Sequence, residues 1–304
     1  MNPLSGFRFR SFALLTPVLM GMMAVSSGCA TETEELGDSS DSAAATRTEK
    51  LKVMTLNLRH DVDQWERRFE LVADEIVRLD PDVIGLQEIE IGKDQGDKLN
   101  DLIAKRGHAK YHSFQKRKTA LYGFFTGEGV GIFSRYALSD KDDADLAHYR
   151  RAVHAKIALP SGVSVRIFNT HFEPGGEESM RVSQAEKLLS FARGQGESEP
   201  AILTGDFNAS PTKDSIATLR TKFVDSYPTV HGNEEGSGTS PIRLEEGAFT
   251  QRPTRRIDYV MARSTSGVTL RPIKSDIVLK NHDSKGFYPS DHYAIMTTYE
   301  VVRK

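Results

Sequence analysis

A single cysteine, Cys29, is present in 304 residues, so no intrachain disulfide can form and no cysteine-rich zinc site can be built. A surplus of positive charge is also missing. Forty Lys and Arg stand against 42 Asp and Glu, a formal net charge of −2, whereas a protein that coats a polyanion usually carries a basic excess. No glycine-rich Walker loop follows a strand pattern, which argues against P-loop handling of nucleoside triphosphates. The apolar run from Phe12 to Val25 falls short of the roughly 20 residues that a membrane span needs. Beside these absences the composition is ordinary, 38% hydrophobic and 27% charged, and it suffices to bury a core without disulfide or metal staples.

The first 50 residues read as an address followed by a tether. Arg8 and Arg10 give a positive start, the apolar run follows, and Ser26, Ser27 and Gly28 lead into Cys29, the order of parts in a bacterial export signal. The closing Val-Ser-Ser-Gly-Cys resembles a lipobox, in which Cys29 becomes the lipidated first residue of the mature protein. Three residues before it stands Ser26 where Leu is usual. From Ala30 the chain is small, polar and acidic, with Leu36 its one large apolar residue, too little to offset the entropy of ordering. The expected organisation is a signal peptide at 1–28, a lipid-anchored disordered linker at 29–49 and a catalytic domain at 50–304. The protein is then exported and held at a bacterial membrane, likewise an expectation. A flexible linker of this length spans about 25 Å root-mean-square.

Beyond Lys50, strand-like and helix-like segments alternate without an internal repeat. Strands are predicted at 51–58, 82–88, 130–134, 152–159, 163–170, 200–205, 256–262 and 294–301. Pro160-Ser161-Gly162 is read as the turn of a hairpin. Helices are predicted at 65–79, with Asp63 as cap, around Leu99–Ile103 and at 178–192, and the glycine- and glutamate-rich stretch 231–247 as a long loop. One α/β domain is the economical reading.

Polar residues of a few kinds close these apolar strands. They are Asn57, Glu88, His171, Asp206 with Asn208, Asp258, and Asp291 with His292. Strand ends on one edge of a sheet converge, so these side chains can form one cleft. Carboxylates with an amide oxygen suit a hard cation such as Mg²⁺, Mn²⁺ or Ca²⁺, and histidines beside acids suit proton transfer near neutral pH. Singly, each is a common turn or cap residue; their recurrence at strand ends is what turns do not explain.

The blocks Met-Thr-Leu-Asn57, Gly-Leu-Gln-Glu88, Asn-Thr-His171, Gly-Asp206-Phe-Asn208, Arg-Ile-Asp258 and Ser-Asp291-His292 resemble, in that order, the endonuclease/exonuclease/phosphatase superfamily. That group includes pancreatic deoxyribonuclease, abasic-site endonucleases, bacterial sphingomyelinases and inositol-polyphosphate phosphatases. The resemblance spans residues 51–300. It implies a four-layer α/β/β/α sandwich, two mixed sheets face to face with helices outside. It also implies metal-dependent hydrolysis of phosphoesters, with Glu88 as principal metal ligand supported by Asn57 and Asp291. His292 would be the general base or the partner of the phosphate, oriented by Asp258. His171 would contact the phosphate or leaving oxygen, and Asp206 and Asn208 would position water and phosphoryl oxygens.

In the deoxyribonuclease a glutamate near the start of the strand matching 152–159 pairs with the histidine matching His171. Tyr149–His154 here contains no carboxylate, so the resemblance implies no such partner. Arg59, Arg255 and Arg256 are candidate substrate contacts, and Lys116-Arg117-Lys118 and Arg150-Arg151 are either substrate contacts or solvated surface. The substrate is a nucleic acid, a phospholipid headgroup, with Tyr122, Phe124 and Phe125 available to touch a bilayer, or a small phosphate ester. The chain is expected to be monomeric. A catalytically silent binding domain is the reading from another class. Asn-Leu-Arg-His-Asp, followed by Trp65 and Arg68, resembles a group of exported bacterial members of the same superfamily.

Overall fold

Strands buried on both faces need apolar side chains in both directions, and the runs Leu51–Leu58 and Val83–Ile89 supply them. The computed structural model describes residues 48–118 and 127–304, all within the unit Ala45–Lys304. The export signal, Cys29, most of the linker, and Tyr122, Phe124 and Phe125 lie outside the described residues. In chain order the elements are β1 (Thr48–Asn57), α1 (Trp65–Leu79), β2 (Val83–Glu90), α2 (Gln95–Lys105), β3 (His112–Arg117), β4 (Glu128–Ser134), β5 (Ser139–Asp145), β6 (Arg151–Ala158) and β7 (Ser164–His171). They continue as α3 (Glu178–Gly194), β8 (Ala201–Asp206), α4 (Asp214–Arg220), β9 (Val224–Asp225), α5 (Ser226–His231), β10 (Asp258–Arg263), β11 (Val268–Val278) and β12 (Ala294–Arg303).

The strands form two six-stranded sheets, ordered β11-β12-β1-β2-β4-β3 and β5-β6-β7-β8-β10-β9. Each is mixed: β1 and β2 run parallel in the first, β7 and β8 in the second, and every other pairing is antiparallel. The parallel pairs are the ones joined through helices, α1 and α3, as a parallel connection requires.

Alternation along the strands sorts side chains into three apolar layers. Leu51 and Val53 of β1, Val130 and Ile132 of β4, Val165 and Ile167 of β7 and Val260 of β10 point inward and fill the space between the sheets. Met54, Leu56, Ile84 and Leu86 point out to meet Phe69, Val72 and Ile76 of α1 and Leu99 and Ile103 of α2. Phe168, Leu203 and Tyr259 point the other way, against Ala185 and Leu188 of α3 and Ile216 and Leu219 of α4. Three apolar layers separate four layers of structure, the expected α/β/β/α sandwich.

Towards the middle of this gap the inward row turns polar. Gln87 Nε2 donates to Asn169 Oδ1 (2.7 Å) and Thr55 Oγ1 (3.1 Å), Thr204 Oγ1 donates to Asn169 Oδ1 (3.1 Å), and Asn169 Nδ2 donates to the carbonyls of Leu86 and Gly131. Gly85 is required there: a Cβ would stand 2.1 Å from Thr204 Oγ1 and 2.7 Å from Asn169 Oδ1.

Most predicted elements are present within a few residues, and the 160–162 hairpin is found, with Ala158 paired to Ser164 and Gly162 at φ 81°. Three readings are corrected. Asp63 does not cap α1; the cap position is Gln64, and the Asp63 carboxylate instead receives Arg59 Nε at 3.0 Å. β1 opens at Thr48, inside the stretch read as linker. Strands β3, β5, β9 and β11 and helices α4 and α5 were not anticipated.

Candidate active site

The inward row that makes the central core also makes the site. At one edge of the two sheets this row ends in Asn57 on β1, Glu128 on β4, His171 on β7, Asp206 on β8 and Asp258 on β10, each in phase with an inward Val or Ile two or four residues along its strand. Parallel strands contribute their last residue and antiparallel strands their first, so all five tips meet. Register agrees, with Asp206 facing both His171 and Asp258. Glu88 reaches the same edge by another device. The β2–β4 ladder shifts register between Leu86 and Ile89, and Glu88 holds a left-handed φ of 52°, a bulge that re-aims one side chain.

Two histidines define the geometry. His292 Nδ1 is 2.9 Å from Asp258 Oδ2, and its Nε2 faces Asp206 Oδ2 at 3.8 Å. His171 Nδ1 faces Glu128 Oε1 at 3.6 Å, and its Nε2 faces the same Asp206 oxygen at 3.6 Å. Asn57 Nδ2 donates to that oxygen (3.0 Å) and to Glu88 Oε1 (3.0 Å), and the backbone N–H of Asn208 donates to the other Asp206 oxygen (2.9 Å). Asn208, at φ 49°, sets its amide between the Phe172 carbonyl and His171 Nε2, both at 3.0 Å. Two imidazoles, each backed by a carboxylate, thus converge on one oxygen of Asp206.

The charge states follow from burial and neighbours. Burial opposes a proton on His292, yet Asp258 and Asp206 outweigh it and push its pKa up to about 10. Burial also opposes ionisation of Glu128, but His171 and Lys118 hold its carboxyl well below the usual range. Asp291 is raised by burial in spite of His292 and Arg59.

Glu128 is the functional residue that the sequence reading missed. No carboxylate comes from the strand after Tyr149, in line with that reading, but one comes from β4 instead. The signal was present, since Glu128 stands in phase with Val130 and Ile132 just as Asp206 stands in phase with Ile202.

The cation candidates separate. Arg59 Nη1 lies 3.0 Å from Asp291 Oδ2, in the cleft. Arg255 is exposed, with no side-chain partner recorded among the described residues. Arg256 is corrected: the residue is 2% exposed, its guanidinium bonded to Asp225 (2.7 and 3.1 Å) and Glu234 (2.7 and 2.8 Å) and set over the Tyr259 ring, so it braces β10 and does not face the cleft. Lys116 pairs with Asp143 and Arg151 with the same carboxylate on β5, which makes them sheet braces. Arg150 and Lys118 belong to the site through Glu128.

Five carboxylates in one cleft suit a hard divalent cation. Among the described residues, Glu88, Glu128 and His171 bring one donor atom each within 4.8 Å of one another, as do Asp206, Asp258 and His292. Asp258 Oδ1 is buried with no hydrogen-bond partner among the described residues. In the expected set of Glu88, Asn57 and Asp291, Asn57 turns its amide nitrogen to Glu88 and its oxygen to the Arg59 N–H. The oxygen-rich donor set fits a metal ion.

Comparison with known proteins agrees with this chemistry. Residues 54–292 match the model of the Endonuclease/Exonuclease/phosphatase family. Protein angel of Drosophila melanogaster is 22% identical over 81% of this chain and 75% of its own length. A sphingomyelinase of Mycobacterium tuberculosis is 25% identical over 49% of this chain, which spans only 30% of that relative. A crystal structure of an endonuclease/exonuclease/phosphatase family protein from Bacteroides thetaiotaomicron superposes with a TM-score of 0.65 at 21% identity, covering 84% of this chain and 96% of the other. The chain belongs to the endonuclease/exonuclease/phosphatase family, and it is a phosphoesterase.

Proposed function

We propose that the chain hydrolyses phosphodiesters by in-line attack of water, with Mg²⁺ as the preferred ion and Mn²⁺ or Ca²⁺ as possible replacements. The observation that carries this reading is the convergence of His171 Nε2 and His292 Nε2 on Asp206 Oδ2, each imidazole backed by its own carboxylate. Glu88, with Glu128 or Asp291 beside it, would hold the ion, which when bound neutralises charge on the phosphoryl and leaving oxygens. Asp206, oriented by Asn57 and by the Asn208 N–H, accepts the proton of the attacking water. His292, kept cationic by Asp258, donates to a phosphoryl oxygen as charge builds there. His171 stands on the other side of Asp206 and faces the leaving oxygen, with Arg150 and Glu128 behind it. Arg59 and Arg255 supply positive charge to the substrate.

The sphingomyelinase relative favours release of a phospholipid headgroup as a second reading of the substrate. Exported placement with lipidation at Cys29 belongs to the same proposal and accords with either substrate. Purified protein given bis-p-nitrophenyl phosphate should release nitrophenol in Mg²⁺ and stop in EDTA. Glu88→Gln should lose most of the rate and regain part of it at high Mg²⁺. Full turnover in chelator would defeat the proposal. A panel of plasmid DNA, RNA, sphingomyelin vesicles and inositol phosphates then assigns the substrate.

A further inference from the structure

The loop between β1 and α1 is held in an uncommon shape. Arg59, His60, Asp63 and Gln64 all have positive φ (59°, 25°, 53° and 54°), and none is glycine. Such conformations cost of order 1 kcal/mol or more each and persist only where the surroundings over-determine them. One side chain makes most of these contacts, with Gln95 Nε2 adding a donor to the His60 carbonyl (3.1 Å) and Asn57 Oδ1 accepting from the Arg59 N–H (2.9 Å). Arg68, in the first turns of α1, is 0% exposed and has no carboxylate within ion-pair distance among the described residues. Its guanidinium is spent on main-chain carbonyls: Nε on Asp63 (3.1 Å), Nη1 on Leu58 (2.5 Å) and Pro289 (3.3 Å), and Nη2 on Arg59 (2.9 Å), His60 (3.0 Å) and Val62 (2.7 Å). A buried cation is costly unless its hydrogen bonds are satisfied, and six carbonyl dipoles in a fixed fork do so in a way that an ammonium cannot.

What the clasp holds is the wall of the cleft. Arg59, once turned by the loop, places Nη1 3.0 Å from Asp291 Oδ2, and His60 places Nε2 4.0 Å from Glu88 Oε2. The bond to the Pro289 carbonyl ties this loop to the segment that carries Asp291 and His292. Ser290 fastens the same segment by donating from Oγ to the Asn57 carbonyl at 2.6 Å.

We propose that Arg68 is a positioning residue for phosphoester hydrolysis. It locks loop 58–64 in the one shape that brings Arg59 to Asp291 and to the phosphoryl oxygens of the substrate. This rests on the phosphoesterase site described above, and it adds a residue that touches neither substrate nor metal. Trp65 and Arg68 stand out in the sequence without an assigned role, and this gives Arg68 one.

The test uses the purified protein and bis-p-nitrophenyl phosphate in Mg²⁺. Arg68→Lys keeps the charge and most of the stem but offers three donors to six carbonyls. Its kcat should fall about 100-fold, the scale of an ångström-sized misplacement, with a much smaller change in KM. On an Arg59→Ala background the same substitution should cost little, because Arg68 acts through Arg59. Backbone amides of 58–64 should exchange faster in Arg68→Lys than in the wild type, while those of β1 and α3 keep their protection. A full rate in a folded Arg68→Lys protein overturns the proposal, as does an equal penalty on both backgrounds. If the variant does not fold, ¹⁵N-arginine spectra of the wild type decide. A clasped guanidinium gives separate, slowly exchanging Nη–H signals assigned to Arg68, distinct from those of the buried Arg256, and averaged, fast-exchanging Arg68 signals overturn the clasp. If the wild type and Glu88→Gln hydrolyse alike, the reading of the site fails instead, and amide exchange still decides the clasp.

Discussion

Glu128 shows how one residue's role depends on phase more than on neighbours in sequence. Its carboxylate faces His171 because β4 is antiparallel to β2 and begins at the cleft edge, so its first inward position is a tip. Glu128→Gln keeps the shape and removes the charge that backs His171. We expect the rate on bis-p-nitrophenyl phosphate to fall by something between 10²- and 10⁴-fold, the usual range for an acid–base group. His171→Ala should fall by a similar factor, and the double variant should be hardly worse than either, since a histidine and its carboxylate act as a unit. Additive losses in a double-mutant cycle, with circular dichroism unchanged, would separate the two residues. Asn57, His171 and Asp206 were legible as site residues because each ends an apolar run, and His292 because it stands in the Ser-Asp-His block. Glu128 was not, because it opens its run, standing between Gly127 and Gly129 ahead of the strand predicted at 130–134. Arg256 was misjudged for the opposite reason. Two residues from Asp258 in sequence, it precedes β10 and is buried over the Tyr259 ring, paired with Asp225.

Among the elements, legibility follows burial. β1, β2, β7, β8 and β10, buried in the interiors of the sheets, announce themselves as apolar runs within a few residues of their true bounds. The missed strands sit at edges: β3, β5, β9 and β11 are the four outermost strands of the two sheets. β5 reads Ser-Asp-Lys-Asp-Asp-Ala-Asp, a sequence that no periodicity marks as a strand, and its charges are what an edge exposed to solvent requires. Such a strand is specified by its partner β6 and by the pairs that Asp143 makes with Lys116 and Arg151. The interior of the sandwich makes an equally local demand at Gly85, where the polar bridge of Gln87, Asn169 and Thr204 leaves no room for a methyl. Gly85→Ala should therefore destabilise the protein by about 1–3 kcal/mol, the cost of overpacking a well-packed core. For a domain of this size that is roughly 2–4 °C of melting temperature per kcal/mol. A denaturation midpoint equal to the wild type would show that the sheets separate there without cost.

For the molecule as a whole, the direction of β1 bears on what the enzyme can reach. Asn57 ends β1 in the cleft, while Thr48 begins it beside Val302, near the C-terminus of the chain. Ten residues at about 3.3 Å each put these ends about 30 Å apart. The chain that precedes Thr48 thus joins the domain at the end of the sandwich away from its catalytic edge. If Cys29 carries the lipid, as proposed, the tether of about 25 Å root-mean-square joins the domain about 30 Å from the cleft. Cys29→Ser should move the protein out of the membrane fraction and leave its turnover of bis-p-nitrophenyl phosphate unchanged. Equal membrane retention of the variant would remove the anchor. Strong hydrolysis of lipid in the enzyme's own membrane, lost on Cys29→Ser and restored in detergent micelles, would instead show that the tether lets the cleft fold back onto the surface that holds it.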